Sequence, residues 1–237
     1  VDRRSRILPG RLEEAIREDA KQGFRPFLII ANAGTVNTGA VDPIPELIEI
    51  GLRHDLWVHA DAAYGGFFRL VPDGAALLPG LERSDSITLD PHKGLFLPYG
   101  TGCLLLRRPE TLREALETRA GYLQDVAEGR GIPSYHEFSP ELSRDFRGLR
   151  IWLPFQLHGV PAFQAQLQEK LDLARWAHDE LKADPHFEML DEPQLSIVAF
   201  AAKGEAREGG ARGAEILRRL NQRRRVFLSS TQIDGPY

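Results

Sequence analysis

A strand, a helix and a second strand follow one another within about 35 residues near the start of this chain, and that unit narrows its fold more than any other feature. Pro26 to Ala31 (Pro-Phe-Leu-Ile-Ile-Ala) is a continuous apolar run, the pattern of a strand buried on both faces. Asp42-Pro43 has the form of an N-cap followed by proline at the first helical position. Ile44, Leu47, Ile48 and Leu52 then make the apolar stripe of a helix reaching about His54. Leu56 to Ala60 is the next strand. Two strands joined through a helix this short must lie parallel in one sheet with a right-handed crossover, so the fold class is α/β with a mostly parallel sheet.

The remaining pattern extends this unit. Residues 11–22 read as a helix stopped by Gly23, Ser86 to Leu89 and Thr101 to Leu106 as strands, and residues 110–119 as another helix. Between about 121 and 140 the periodicity disappears among glycines and prolines, which predicts a long loop of the kind that usually serves function. A helical stretch from about Glu141 to Lys182 is interrupted at Gly159 and Pro161. Phe187–Leu190, Leu195–Ala201 and Val226–Ser229 read as strands, with a helix from about Gly213 to Arg224. The division expected is a larger unit over 1–158, carrying the loop, and a smaller α/β unit over 159–237.

Bulk properties exclude several classes of function. The 237 residues are 42% hydrophobic and 27% charged, as in an ordinary globular protein. A net charge of −4 gives no general attraction to nucleic acid or to an anionic membrane. One cysteine, Cys103, permits no internal disulfide and no cysteine-rich metal site, which fits a cytoplasmic protein. No apolar run approaches a membrane span, and no signal peptide is visible. Cys103 and the tryptophans Trp57, Trp152 and Trp176 read as core residues, and Arg144, Arg147 and Arg150 as one solvated helix face.

Polar residues gather where the strands end. In open α/β sheets ligands bind beyond the carboxyl ends of the strands. Asp61 ends the strand Trp57-Val58-His59-Ala60 and is followed by the small residues Ala62, Ala63, Gly65 and Gly66, which would let a flat ring approach. Lys93 follows Ser86–Leu89 through Asp90, Pro91 and His92. Ala33 to Gly39 (Ala-Gly-Thr-Val-Asn-Thr-Gly) follows the first strand and offers small residues and hydroxyls. Alone, each has an ordinary reading: a loop-capping aspartate, a solvated lysine, a polar turn. Together, an imine-forming lysine and a buried carboxylate are what pyridoxal phosphate (PLP) chemistry asks of a protein. His92 would donate to a phosphate or orient a carboxylate.

Asn32–Asp42, His59–Gly66 and Asp90–Gly94, with Phe138-Ser-Pro-Glu-Leu-Ser-Arg-Asp-Phe-Arg147, closely resemble the group II PLP-dependent amino-acid decarboxylases, among them aromatic-L-amino-acid, glutamate and diaminobutyrate decarboxylases. The resemblance runs through nearly the whole chain in the same order. It implies fold type I and PLP as cofactor. By resemblance, Lys93 bonds the cofactor, Asp61 pairs with its protonated pyridine nitrogen, Thr35 and Ala63 lie against it, and His92 lies near its phosphate. Tyr135 matches the loop tyrosine that returns a proton to the substrate carbon, with Tyr122 as the rival. The implied reaction is decarboxylation of an L-amino acid, with an aromatic substrate favoured by the Leu-Ser-Arg-Asp-Phe-Arg stretch, in a homodimer.

Two departures qualify the resemblance. Gly94 stands where several members carry a bulky residue, which leaves the substrate open. The family's chain is about twice as long, and its ring-stacking histidine and phosphate loop have no counterpart here, so the chain is expected to be a C-terminal fragment that binds PLP weakly or not at all. The competing readings are transamination, oxidative decarboxylation or desulfuration on the same scaffold, or a non-catalytic scaffold fragment.

Overall fold

The computed structural model describes residues 1–116, 135–204 and 211–233. Helix α1 (Pro9–Lys21) leads into β1 (Leu28–Asn32), α2 (Ile44–His54) and β2 (Trp57–Asp61). A 3-10 turn (Gly66–Leu70), α3 (Pro72–Leu77) and a second 3-10 turn (Leu81–Arg83) precede β3 (Ser86–Leu89). The one-turn α4 (Pro91–Gly94), β4 (Cys103–Leu106) and α5 (Glu110–Leu116) complete the first part. After a 3-10 turn at Tyr135–Phe138 come α6 (Leu149–His158), α7 (Val160–Ala183), β5 (Phe187–Met189), β6 (Phe200–Ala202) and α8 (Ala211–Gln222).

The main sheet runs β1-β2-β3-β4. The first three strands are parallel, with Leu28 opposite Trp57 and His59 opposite Ser86, and β4 is antiparallel to β3. The expected βαβ unit is present. Its helix differs in detail, because Ile44, Leu47, Ile48, Ile50 and Gly51 are the buried residues of α2 while Leu52 stands 69% exposed. Gly51 explains the shift: a Cβ there would overlap Val58 of β2, so the helix backbone lies directly on the strand.

β1 is buried on one face only. Ile29 and Ala31 join Val58 and Ala60 in the core, whereas Leu28 and Ile30 are exposed on the other face. An all-apolar run conceals this alternation, which is why the sequence suggested burial on both faces. Each core Ile, Leu or Val that leaves water here contributes roughly 1.5–3 kcal/mol.

Asp42 is not an N-cap. Pro43 holds the cap position without a side-chain bond, and the Asp42 carboxylate instead accepts hydrogen bonds from the backbone N–H of Ile7 (2.7 Å) and of Asn32 (2.7 Å) and from Asn32 Nδ2 (3.2 Å). It thus ties the start of the chain to the end of β1.

The second half departs further from the sequence pattern. Residues 141–148 are not helical; there Arg147 pairs with Glu141 and Asp145 (both 3.0 Å) and Arg150 with Asp145 (2.7 Å), so this is an ion-pair cluster and not a basic helix face. Trp152 and Trp176 are exposed instead of packed, and Cys103 is half-buried. Of the expected strand 195–201 only its last residues pair, as Phe200–Ala202 with Phe187–Met189, while Leu195 is buried in the main core. Val226–Ser229 forms no strand, and Val226 and Phe227 are exposed. Phe163, Leu167 and Leu171 of α7 join the core beneath the four-stranded sheet.

Candidate active site

The carboxyl ends of β1, β2 and β3 lie side by side because the register places Asn32 beside Asp61 and Asp61 beside Thr88. Neighbouring strands in such a sheet are about 4.8 Å apart. Backbone bonds continue the alignment past the strands: Ala33 N–H to the Asp61 carbonyl (2.8 Å), Ala62 N–H to that of Thr88 (3.1 Å), and Asp90 N–H to that of Ala63 (3.2 Å). The three loops carrying Thr35, Asp61–Ala63 and Asp90–Lys93 therefore start from one edge. Gly65 and Gly66 serve this packing: a Cβ at Gly65 would overlap the Ala33 carbonyl, and one at Gly66 would overlap Leu89. Both glycines are buried, so their smallness lets the strand ends close up, whereas the sequence suggested that it cleared space around Asp61.

At the centre of this edge Asp61 is exposed and not buried as the sequence suggested, because it stands on the last residue of β2, and one of its oxygens, Oδ1, accepts the N–H of Ala63 at 3.2 Å. A carboxylate has about four acceptor positions, so Asp61 keeps capacity for a ligand. Lys93 sits in α4 with its amine 2.9 Å from Asp90 Oδ2, in an i,i+3 ion pair. Asp61 is not its partner. His92 Nδ1–H donates to the Thr101 carbonyl at 3.0 Å, a donor role fixed by the carbonyl, and this turns Nε2 to 3.8 Å from Asp90 Oδ2. The His92 ring packs against Tyr99 with centroids 4.8 Å apart. Burial, and then the charge of Asp90, pushes the Cys103 thiol up from its ordinary pKa.

Thr35 belongs to the same edge, but its hydroxyl is engaged within its own loop, 2.8 Å from Thr38 Oγ1 and accepting Ala40 N–H at 3.1 Å. Tyr135 stands apart. It is 68% exposed, and the ion pair that fixes its turn, Arg113 with Glu137 at 2.9 Å, leads to α5 and not to the sheet edge. The rival Tyr122, with most of the expected 121–140 loop, lies outside the described residues.

Sequence reading left several polar residues at this edge without a role in the site. Asp90 was visible only as the residue three before Lys93. On the open face of the sheet, Trp57 Nε1 is 2.8 Å from Ser86 Oγ, Ser86 Oγ is 2.8 Å from His59 Nδ1, and His59 Nε2 is 3.2 Å from Thr88 Oγ1. Burial pushes the His59 pKa down, and the charge of Asp61 pulls it partly back. Strand positions 57 and 59 opposite 86 and 88 were the available signal, but pairing register cannot be read from one sequence. Tyr64, just after the Asp61 loop, meets Ser196 Oγ at 2.7 Å and accepts Ser196 N–H at 3.0 Å, fastening a distant segment to this edge.

Comparison with known proteins places this arrangement. The family model described as the pyridoxal-dependent decarboxylase conserved domain matches residues 1–203. An aromatic-L-amino-acid decarboxylase of Bacillus atrophaeus is 40% identical over 201 residues, covering 84% of this chain and 42% of that protein. The solved structure of Oryza sativa TDC with PLP and tryptamine superposes with a TM-score of 0.87 at 30% identity, over 97% of this chain and 49% of that one. That of Rhodiola rosea 4-hydroxyphenylacetaldehyde synthase gives 0.83 at 29% identity, over 96% and 47%. This chain thus spans less than half the length of these relatives, and its α/β fold is that of the fold type I PLP decarboxylases. From residue 1 through residue 203, this chain belongs to the pyridoxal-dependent decarboxylase family.

Proposed function

We propose that the whole protein decarboxylates an L-amino acid, an aromatic one by preference, to the corresponding amine and CO2, using PLP. The observation that carries this reading is the exposed Asp61 carboxylate, beside Thr88 of the strand whose following loop presents Lys93. The residues at this edge fit the cofactor's ring and aldehyde: an acceptor-only carboxylate for a protonated pyridine nitrogen and an amine for an aldehyde carbon; His92, whose Nδ1–H is given to the Thr101 carbonyl, has Nε2 left for a phosphate and can donate from it only as the cationic ring. When bound, PLP supplies an electron sink for the charge left on the substrate carbon as CO2 departs.

The protein's own residues then have distinct tasks. Asp61, as an anion beside the ring nitrogen, favours the protonated nitrogen on which that sink depends. Lys93 would hold the cofactor covalently, which requires its amine to leave Asp90 and lose its proton. Thr35 and Ala63 would flank the cofactor, and His92 would face its phosphate. Tyr135, exposed and away from this edge here, would have to reach the substrate carbon to return a proton to it as a general acid. The substrate preference follows the names of the relatives, an aromatic-amino-acid decarboxylase and a structure holding tryptamine.

We further propose a homodimeric, cytoplasmic protein; among the described residues no helix is long and apolar enough to cross a membrane. The two-unit division near 158 stands as part of the same proposal, with β5 and β6 pairing with each other and with no other strand among the described residues, while α7 reaches back to the main core.

The test is product analysis. The full-length protein, given aromatic L-amino acids and PLP, is expected to release CO2 and amine in equal amounts, with Lys93→Ala releasing neither. The likeness to an aldehyde synthase supports a second reading, oxidative decarboxylation with O2 as the oxidant; aldehyde, ammonia and hydrogen peroxide in place of amine, with O2 consumed, would establish it and overturn the first.

A further inference from the structure

The ladder on the open face of the sheet has a direction. The Trp57 indole N–H can only donate, so Ser86 Oγ accepts from it. Ser86 is buried, and its own proton needs an acceptor; the other partner of its hydroxyl is His59 Nδ1 at 2.8 Å. Ser86 O–H therefore donates to Nδ1. A neutral imidazole that accepts at Nδ1 carries its proton at Nε2, which faces Thr88 Oγ1 at 3.2 Å. Thr88 accepts there and has its own proton left to give. In the parallel register the residue beside Thr88 is Asp61.

We infer that His59 is a positioning residue for Asp61: the ladder Trp57–Ser86–His59–Thr88 holds His59 neutral with its proton on Nε2 and delivers a hydroxyl donor to the strand position beside Asp61. The bonds run head to tail from Trp57 to Thr88, and bonds linked in this way polarise one another. Asp61 itself accepts from Ala63 N–H and not from Thr88, so the ladder acts on it across the register, as a fixed dipole chain behind an anion. A cationic His59 would instead give both its protons away, reverse the Ser86 bond and offer Asp61 a competing ion partner. The burial that pushes the His59 pKa down favours the neutral ring. The inference rests on the proposed role of Asp61, although the ladder itself belongs to this chain whether or not a cofactor is bound.

The experiment has two separate readouts. The first is nitrogen NMR of the full-length, cofactor-free protein with labelled histidine at about pH 7.5. His59 is expected as the Nε2–H tautomer, and Ser86→Ala is expected to abolish that preference. Asp61→Asn should move the His59 titration to lower pH, because the anion that favours its protonation is gone. An Nδ1–H tautomer, an imidazolium, or a titration indifferent to Asp61→Asn would overturn the inference.

The second readout is affinity for PLP, with melting temperature followed to confirm folding. His59→Leu should weaken binding about tenfold or more, the scale seen when a partner orienting a first contact is removed, and His59→Gln, which keeps an amide donor, should recover most of it. Equal affinity in His59→Leu and wild type would also overturn the inference. If the wild-type protein binds no PLP, the proposed function fails, and the direction of the ladder is still decided by the NMR result.

Discussion

Asp42 and Asp61 lie at the same end of one sheet and have opposite environments. Asp42 is 4% exposed and accepts three hydrogen bonds, two of them from backbone N–H groups of distant segments. Asp61 is exposed and accepts one, from two residues along its own loop. The first carboxylate is fully used by the fold, joining the start of the chain to β1. The second is held by its strand but scarcely used, on the edge where α/β sheets bind ligands. The contrast teaches that position at a strand end is not enough to mark a functional acid; what marks it is bonding capacity left over.

The sharpest way to break this contrast is to neutralise both residues. Asp61→Asn should lower decarboxylase activity about 10- to 1000-fold, the worth of an opposite charge that shifts a neighbour by one to three pH units, while the melting temperature stays put. A loss of stability matching the loss of activity would make Asp61 as structural as Asp42. Asp42→Ala should do the reverse at the level of folding, costing about 3 kcal/mol as the N–H groups of Ile7 and Asn32 lose their partner, read from denaturant unfolding. Tyr64→Phe removes the hydroxyl that meets Ser196 and should cost about 1 kcal/mol, since the Asp61 loop keeps its strand bonds.

The smallest expected effect is a pH dependence from His59. Its folded pKa is depressed by burial, so the unfolded chain binds the proton more readily. The stability that His59 contributes is therefore whole above its unfolded pKa of about 6.5 and is lost as pH falls through the lower folded value. His59→Gln should flatten stability over that window; an unchanged slope would assign the dependence to other groups.

Much of the first half of the molecule was legible in the sequence because its signals are local. Trp57–Asp61 and Ser86–Leu89 end in breaks, α2 follows an apolar stripe, and Asp61 and Lys93 fall where α/β sheets bind ligands. What failed there depended on partners distant in sequence. Asp42 before Pro43 looks the same whether it caps a helix or locks two segments, and only the fold brings Ile7 to it. The His59 ladder required the register of β2 against β3. The second half was less legible for a related reason: Val226–Ser229 has the composition of a strand but pairs with no strand among the described residues, and Arg144–Arg150 has helical spacing in a stretch that Asp145 and Glu141 organise through ion pairs.

The central claim, that Lys93 and Asp61 share one cofactor at this edge, is tested most directly by fixing the cofactor in place. The full-length protein would be incubated with PLP, reduced with borohydride and digested, and its lysine-containing peptides weighed. The account predicts a visible absorption band before reduction and a single modified lysine, Lys93, with the band weakened and altered in its pH profile by Asp61→Asn. Modification of another lysine, or a band indifferent to Asp61→Asn, would contradict it.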